Sequence, residues 1–184
     1  MKYLTKIKIL AFLTAITSNY SLAQDGAASV SLGVTQEGLG SILSYNYYVD
    51  KYHSDFVQGS ILITNSKYKY NSDIKIPYNE FTFNIGYFKS VFKNRTEAFK
   101  VSVGIGAVGG YEAINNGENE LTNGAVLETK SGFIYGAFIG LDTDIYLNDK
   151  FSFIVKANEY YHVNSDLGNF IPYAGIGLRI FLDY

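Results

Sequence analysis

The 184-residue sequence has no cysteine and no tryptophan, only two prolines, one methionine and two histidines. Without cysteine there are no disulfides and no thiolate metal sites, and no lipoprotein-type anchor can be attached behind a leader. The apolar stretch Ile9–Ile16 ("ILAFLTAI") is eight residues long, far short of the ~20 that a membrane-spanning helix needs. It is instead flanked as a Sec signal peptide is: Lys2, Lys6 and Lys8 form a basic head, and Ser21-Leu22-Ala23 puts small residues where a signal peptidase reads. Cleavage after Ala23 divides the chain into a leader, 1–23, and one domain, 24–184, that leaves the cytoplasm. The exported part keeps twelve of the 15 basic residues against all 17 acidic ones, a formal charge of −5. A chain this acidic has no electrostatic reason to bind nucleic acid directly.

Abundant instead are 17 Tyr, 13 Phe and 18 Gly. Aromatic and β-branched side chains favour strands, and this much glycine argues against long helices. The pattern along the chain agrees. In "YAGIGLRIFLDY" the even positions Ala174, Ile176, Leu178, Ile180, Leu182 and Tyr184 are apolar or aromatic, whereas the odd ones include Gly175, Gly177, Arg179 and Asp183. In "FKVSVGIGAVGGYE" the residues Phe99, Val101, Val103, Ile105 and Ala107 share one face, and Lys100, Ser102, Gly104, Gly106 and Glu112 the other. Such alternation puts successive side chains on opposite sides of a strand. It also explains the two carboxylates in "FIYGAFIGLDTDIYL". Asp142 and Asp144 share a face because they are two residues apart, and it is the face opposite Phe133, Tyr135, Ile139, Leu141 and Ile145.

These segments run to ten or fifteen residues, longer than the five or six of an ordinary soluble strand and suited to a tilted transmembrane one. Apolar side chains outward, with small and polar ones inward, is the outer-membrane barrel pattern. Eight segments are expected, centred on Ala28–Thr35, Ile42–Val49, Phe56–Thr64, Glu80–Phe88, Phe99–Tyr111, Phe133–Leu147, Phe151–Tyr160 and Tyr173–Leu182. The expected fold is an all-β, eight-stranded up-and-down antiparallel transmembrane barrel in lipid, closed because an open sheet edge is too costly there. Short turns at Lys93–Thr96 and Leu147–Lys150 fall on the periplasmic side, and the long polar segment Ala113–Ser131 on the outer side. "VDKYHSD" makes a longer inner turn than that scheme expects. The terminal Tyr184 resembles the aromatic end that barrel-assembly machinery recognises.

An eight-stranded barrel has an interior just wide enough for side chains to fill. Asp142, Asp144, Arg179, Lys100, Lys156 and Glu112 can all point into it, as an interior charge cluster of structural purpose. "GIGAVG" (Gly104–Gly109) spells the dinucleotide fingerprint, but that motif needs a helix after it. Here the alternation runs straight through, so its glycines read as small interior positions beside large neighbours. His53 and His162 are the two histidines; His162, close to Ser165 and Asp166, leaves open a rim-active lipid enzyme. Tyr45, Tyr47, Tyr48, Tyr68, Tyr70, Tyr78, Tyr160 and Tyr161 suit aromatic girdles. No residue set suggests a cofactor or a metal ion.

Gly110–Glu118 ("GYEAINNGE"), Asn123–Ala125 ("NGA"), Phe133–Gly136 ("FIYG"), Tyr146–Asp149 ("YLND"), Asp166–Phe170 ("DLGNF") and Ala174–Arg179 ("AGIGLR") occur in order. Together they resemble the conjugal transfer protein TraO family of conjugative transposons. The resemblance covers about the last 75 residues firmly, and the rest through leader, strand pattern and length. Val163-Asn164-Ser165 and Ile171 depart from it, where the family pattern has Trp-Gly and Arg. The resemblance implies a part in DNA transfer between cells beside a type IV secretion apparatus, with other conjugation proteins as partners and with no enzyme activity or cofactor. A general small outer-membrane barrel for adhesion or envelope integrity is the alternative.

Overall fold

The computed structural model describes residues 26–182 apart from 37, 51, 53, 70–74, 97 and 118–129. The expected leader, His53, Tyr70 and Tyr184 lie outside the described residues. Eight strands follow one another: β1 Gly26–Thr35, β2 Gly38–Tyr48, β3 Phe56–Lys69, β4 Lys75–Lys93, β5 Phe99–Ile114, β6 Gly132–Tyr146, β7 Phe151–His162 and β8 Phe170–Phe181. Each pairs antiparallel with the next, and β1 pairs with β8 from Ala27↔Phe181 to Val34↔Ala174, which closes the barrel. The end that carries Gly26 and Leu182 also carries the β2–β3, β4–β5 and β6–β7 connections and is called here the terminal end; the opposite one is the loop end.

Alternation decides what fills the barrel and what covers it. On β5, Lys100, Ser102, Val108, Glu112 and Ile114 are buried, while their odd-numbered neighbours Val103, Ile105 and Tyr111 are 46%, 64% and 41% exposed. The same split separates Tyr47 from Tyr48: the first is exposed on the wall and the second is buried in the lumen. Of the expected girdle tyrosines, Tyr45, Tyr47 and Tyr161 are therefore on the outer wall. Tyr48, Tyr78 and Tyr160 face inward, because they sit one residue out of step with the apolar face.

Strand lengths differ most from the sequence expectation at the β3–β4 hairpin: β3 starts at Phe56 as expected but runs on to Lys69, and β4 extends past its apolar segment at both ends. Register continues to Lys69↔Lys75. Here Ser66, Ile76 and Tyr78 stay buried, while the outward positions become Asn65, Lys67 and Lys69. The period persists above the lipid, but its apolar face has become polar, which hides the strand from a hydropathy reading.

Rings thread the lumen from end to end. Centroids lie 5.4 Å apart for Tyr146–Phe181, 6.4 Å for Phe181–Tyr48, 5.6 Å for Tyr48–Phe56 and 5.1 Å for Phe56–Phe88. The series continues through Phe88–Phe138 at 6.2 Å, Phe138–Tyr160 at 5.5 Å and Tyr160–His162 at 6.4 Å. Glycines make the room for it: a Cβ on Gly104 would stand 2.5 Å from the Phe88 ring, and one on Gly106 would stand 2.5 Å from Phe138 and 2.2 Å from the Ile85 carbonyl. Gly109, the last glycine of the fingerprint-like motif, faces the outer wall and has nothing near it.

The seven-residue connection between β2 and β3 holds itself in shape. Asp50 Oδ1 accepts hydrogen bonds from the backbone amides of Ser54 (2.7 Å) and Asp55 (2.9 Å). Asp55 then accepts from the Tyr87 hydroxyl (2.7 Å) and the Ser90 amide (3.0 Å), tying the turn to β4. Partial burial pulls the Asp50 carboxyl upward, but hydrogen bonds from the Asp55, Ser54 and Tyr52 backbone outweigh it and hold the group below its ordinary value.

Two outcomes follow for the barrel refolded in detergent. Gly106→Ala overpacks the wall against Phe138 and Ile85, costing about 1–3 kcal/mol in urea unfolding. Asp50→Ala costs about 1 kcal/mol at neutral pH. Because the folded Asp50 value is the depressed one, its contribution is present above the ordinary carboxylate range and lost as pH falls through the folded value. The gap between wild-type and variant midpoints should therefore close on acidification.

Candidate functional site

The lumen holds two clusters of charged side chains, one at each end. At the terminal end β6 brings Asp142 and Asp144 inward, β8 brings Arg179, β7 Lys156 and β5 Lys100, all with side chains at most 1% exposed. Register explains the meeting: Lys100 lies opposite Asp144, and Asp142 opposite Lys156. The Arg179 guanidinium bridges the two carboxylates. Its Nη2 donates to Asp142 Oδ2 at 2.8 Å and its Nη1 to Asp144 Oδ2. Lys156 Nζ also donates to Asp142 Oδ2, and Lys100 Nζ lies 3.7 Å from Asp144 Oδ2.

Neutral donors complete the set: Ser152 Oγ donates to Asp144 Oδ1 (2.7 Å), and Gln58 Nε2 to Asn46 (2.8 Å) and Asp142 (3.3 Å). Three cations against two carboxylates leave one positive charge in excess, and aromatic faces meet it. Lys100 Nζ is 5.0 Å from the Tyr48 centroid and 5.6 Å from that of Phe56, and Arg179 Cζ is 5.7 Å from the Phe56 centroid. Cation–π attraction strengthens where water is displaced. Burying each of these ions costs several kcal/mol, which such pairing offsets without adding much net stability. What the cluster supplies is interlocking: one network ties β2, β3, β5, β6, β7 and β8 across the lumen.

Glu112 also points inward but belongs to the loop end, apart from the other five. It lies opposite Glu80 in the β4–β5 register, and both are buried. His162, fully buried, has Nδ1 3.4 Å from Glu80 Oε1. Ser165, in the β7–β8 loop, donates its hydroxyl proton to Glu112 Oε2 at 2.8 Å. Serine and histidine thus each face a glutamate, and His162 makes no hydrogen bond to Ser165. The relay that serine acyl chemistry uses is not formed in this arrangement. Sequence reading places His162 and Ser165 near this rim; it passes over Glu80, whose parity with Phe88 assigns it to the lumen. No group of three His, Asp or Glu side chains among the described residues is arranged to hold a metal ion. The long Ala113–Ser131 segment is described only at its base, where the Ile114 amide donates to Ser131 Oγ at 2.9 Å.

Replacing both Asp142 and Asp144 with Asn would leave Arg179, Lys156 and Lys100 buried without a carboxylate. Breaking a buried pair from one side costs roughly 3–5 kcal/mol, less where water enters the lumen. The double variant should show a clearly lower urea midpoint in detergent; an unchanged midpoint would refute the structural role given to the pair.

Solved structures with a similar fold include three bacterial proteins. Ail, the attachment invasion locus protein of Yersinia pestis, is 14% identical, with 85% of this chain and 98% of that one covered and a TM-score of 0.53. Neisserial surface protein A is 11% identical over 85% and 95%, also at 0.53. A major outer membrane protein of Thermus thermophilus is 10% identical over 84% and 97%, at 0.56. At such identities the likeness is one of fold. Among curated proteins none matches the chain in sequence. A family model, that of the conjugative transposon protein TraO, does match, and it covers residues 26–182, from the first residue of β1 to beyond the last of β8. The chain belongs to the TraO family of conjugative transposon proteins.

Proposed function

We propose that this chain is an outer-membrane component of a conjugation apparatus, acting as an anchor or stabiliser for transfer machinery of the type IV secretion kind. The observation that carries the reading is the family match over the whole barrel. The wall supports the location: Leu32, Leu43, Phe83, Ile105, Ile139 and Ile176 are each more than half exposed, an apolar cover suited to lipid. In this reading the leader is removed after Ala23, the terminal end faces the periplasm, and the Ala113–Ser131 segment faces outward. The interior is occupied by the ring series, the two charged clusters and the uncharged polar side chains between them, so the barrel offers DNA no path through one subunit. It works through what it touches, with other conjugation proteins as partners, and not through catalysis or a cofactor.

The test is transfer frequency from donor cells lacking this gene, with and without a plasmid-borne copy. Loss by orders of magnitude, restored by the copy, is the expected result. Unchanged transfer would overturn the reading and favour a general small barrel serving adhesion or envelope integrity, a role that the fold shared with Ail suits equally well.

A further inference from the structure

The outer wall carries a feature that neither the lumen nor the family accounts for. Across four neighbouring strands one row of register partners runs Leu141–Ala157–Ala174–Val34, large, small, small and large. The two alanines form the floor of a groove of about 490 Å³ between the flanking side chains. In the next row towards the loop end Glu159 stands opposite Pro172. Glu159 points outward with its strand-mates Ala157 and Tyr161, and its other cross-strand neighbour is Ile139. It makes no hydrogen bond or ion pair among the described residues.

Depth makes this carboxylate unusual. Tyr161, two residues further along β7, packs on Phe170 with ring centroids 5.1 Å apart, and this pair forms part of the aromatic rim. Glu159 lies on the lipid side of the pair, about 5 Å deeper along a tilted strand. The other outward charges of the strands lie beyond the rims: Lys67 and Lys69 above the loop-end rim, and Lys89 past Tyr87 at the terminal end. A second copy of this chain, inserted the same way, brings no cation to this depth. Lipid headgroup phosphates repel a carboxylate, and headgroup ammonium ions lie above the ring pair.

We propose that the groove between β6 and β1 docks a membrane-embedded segment of a conjugation partner, whose Lys or Arg pairs with Glu159 while its backbone approaches over Ala157 and Ala174. A charge in lipid is stable when another protein group answers it, and small residues permit close approach of backbones there. The inference rests on the proposed role above, and names the surface through which that role is exercised.

Photo-crosslinking in donor cells tests it, with a photoreactive phenylalanine analogue at Ala174 and, as control, at Ile85 on the opposite wall. The expected result is an adduct from position 174 that forms only when the transposon is present, is lost with Glu159→Gln, and maps to a segment containing Lys or Arg. Reversing both charges, with Glu159→Lys and the partner's cation to Glu, should restore it. Transfer by the Glu159→Gln strain should fall by about tenfold or more, at unchanged barrel level and heat-modifiable migration, since removing a lipid-facing charge spares the fold. Adducts with lipid alone, adducts in cells without the transposon, or adducts indifferent to Glu159→Gln would overturn the inference. If deletion of the gene abolishes transfer while Glu159→Gln leaves transfer and crosslinking unchanged, the docking surface is wrong and the wider role stands.

Discussion

Within lipid every backbone amide and carbonyl must find its partner inside the protein, because no water is there to serve it. Each feature of this molecule descends from that constraint. It forces β8 to return beside β1 and removes both edges of the sheet. Once the sheet closes, each residue is committed to the wall or to the lumen, and a single step of parity decides which. Tyr47 and Tyr48 are chemically identical and adjacent, yet one faces lipid and the other packs on Phe56. Asp142 and Asp144 become neighbours of Arg179 by the same rule. Closure also sets the lumen's width, and the rings that fill it need glycine opposite them, as Gly106 is to Phe138.

The lumen is then organised by polarity along its axis. Carboxylates dominate the loop end in Glu80 and Glu112, while cations outnumber them at the terminal end. Between the two stand Phe88 and Phe138, with the uncharged Ser60, Asn84 and Asn158. Each network braces its own rim: Arg179 joins β6 to β8, and Ser165 holds the β7–β8 loop against β5.

Much of this was legible in the sequence, and for one reason: period-two alternation is a direct projection of the barrel wall. The eight segments, the closed topology and the inward aspartates all follow from it. The grouping of Asp142, Asp144, Arg179, Lys100 and Lys156 was partly legible, because parity gives the face but not the height. Glu112, on the same face, stands twelve residues beyond Lys100 along β5 and so at the far end. The β3–β4 extension was hidden because hydropathy reports lipid contact, and above the lipid Lys67 and Lys69 break the apolar face without ending the strand. Glu159 was passed over for the converse reason. One carboxylate in an otherwise apolar face reads as noise until the rows on either side of it are known.

The unequal heights of the strands have a geometrical consequence. Two residues separate β1 from β2, whereas β3 and β4 climb together to Lys69 and Lys75. The mouth is therefore cut obliquely, with a high lip over β3–β5 and a low one over β1–β2. A round barrel can spin freely about the membrane normal and look the same to its surroundings; a bevelled one cannot. Any body resting on the high lip while also touching the wall near Ala174, on the other side, would fix the azimuth of this protein as well as its position, turning a cylinder into a keyed fitting.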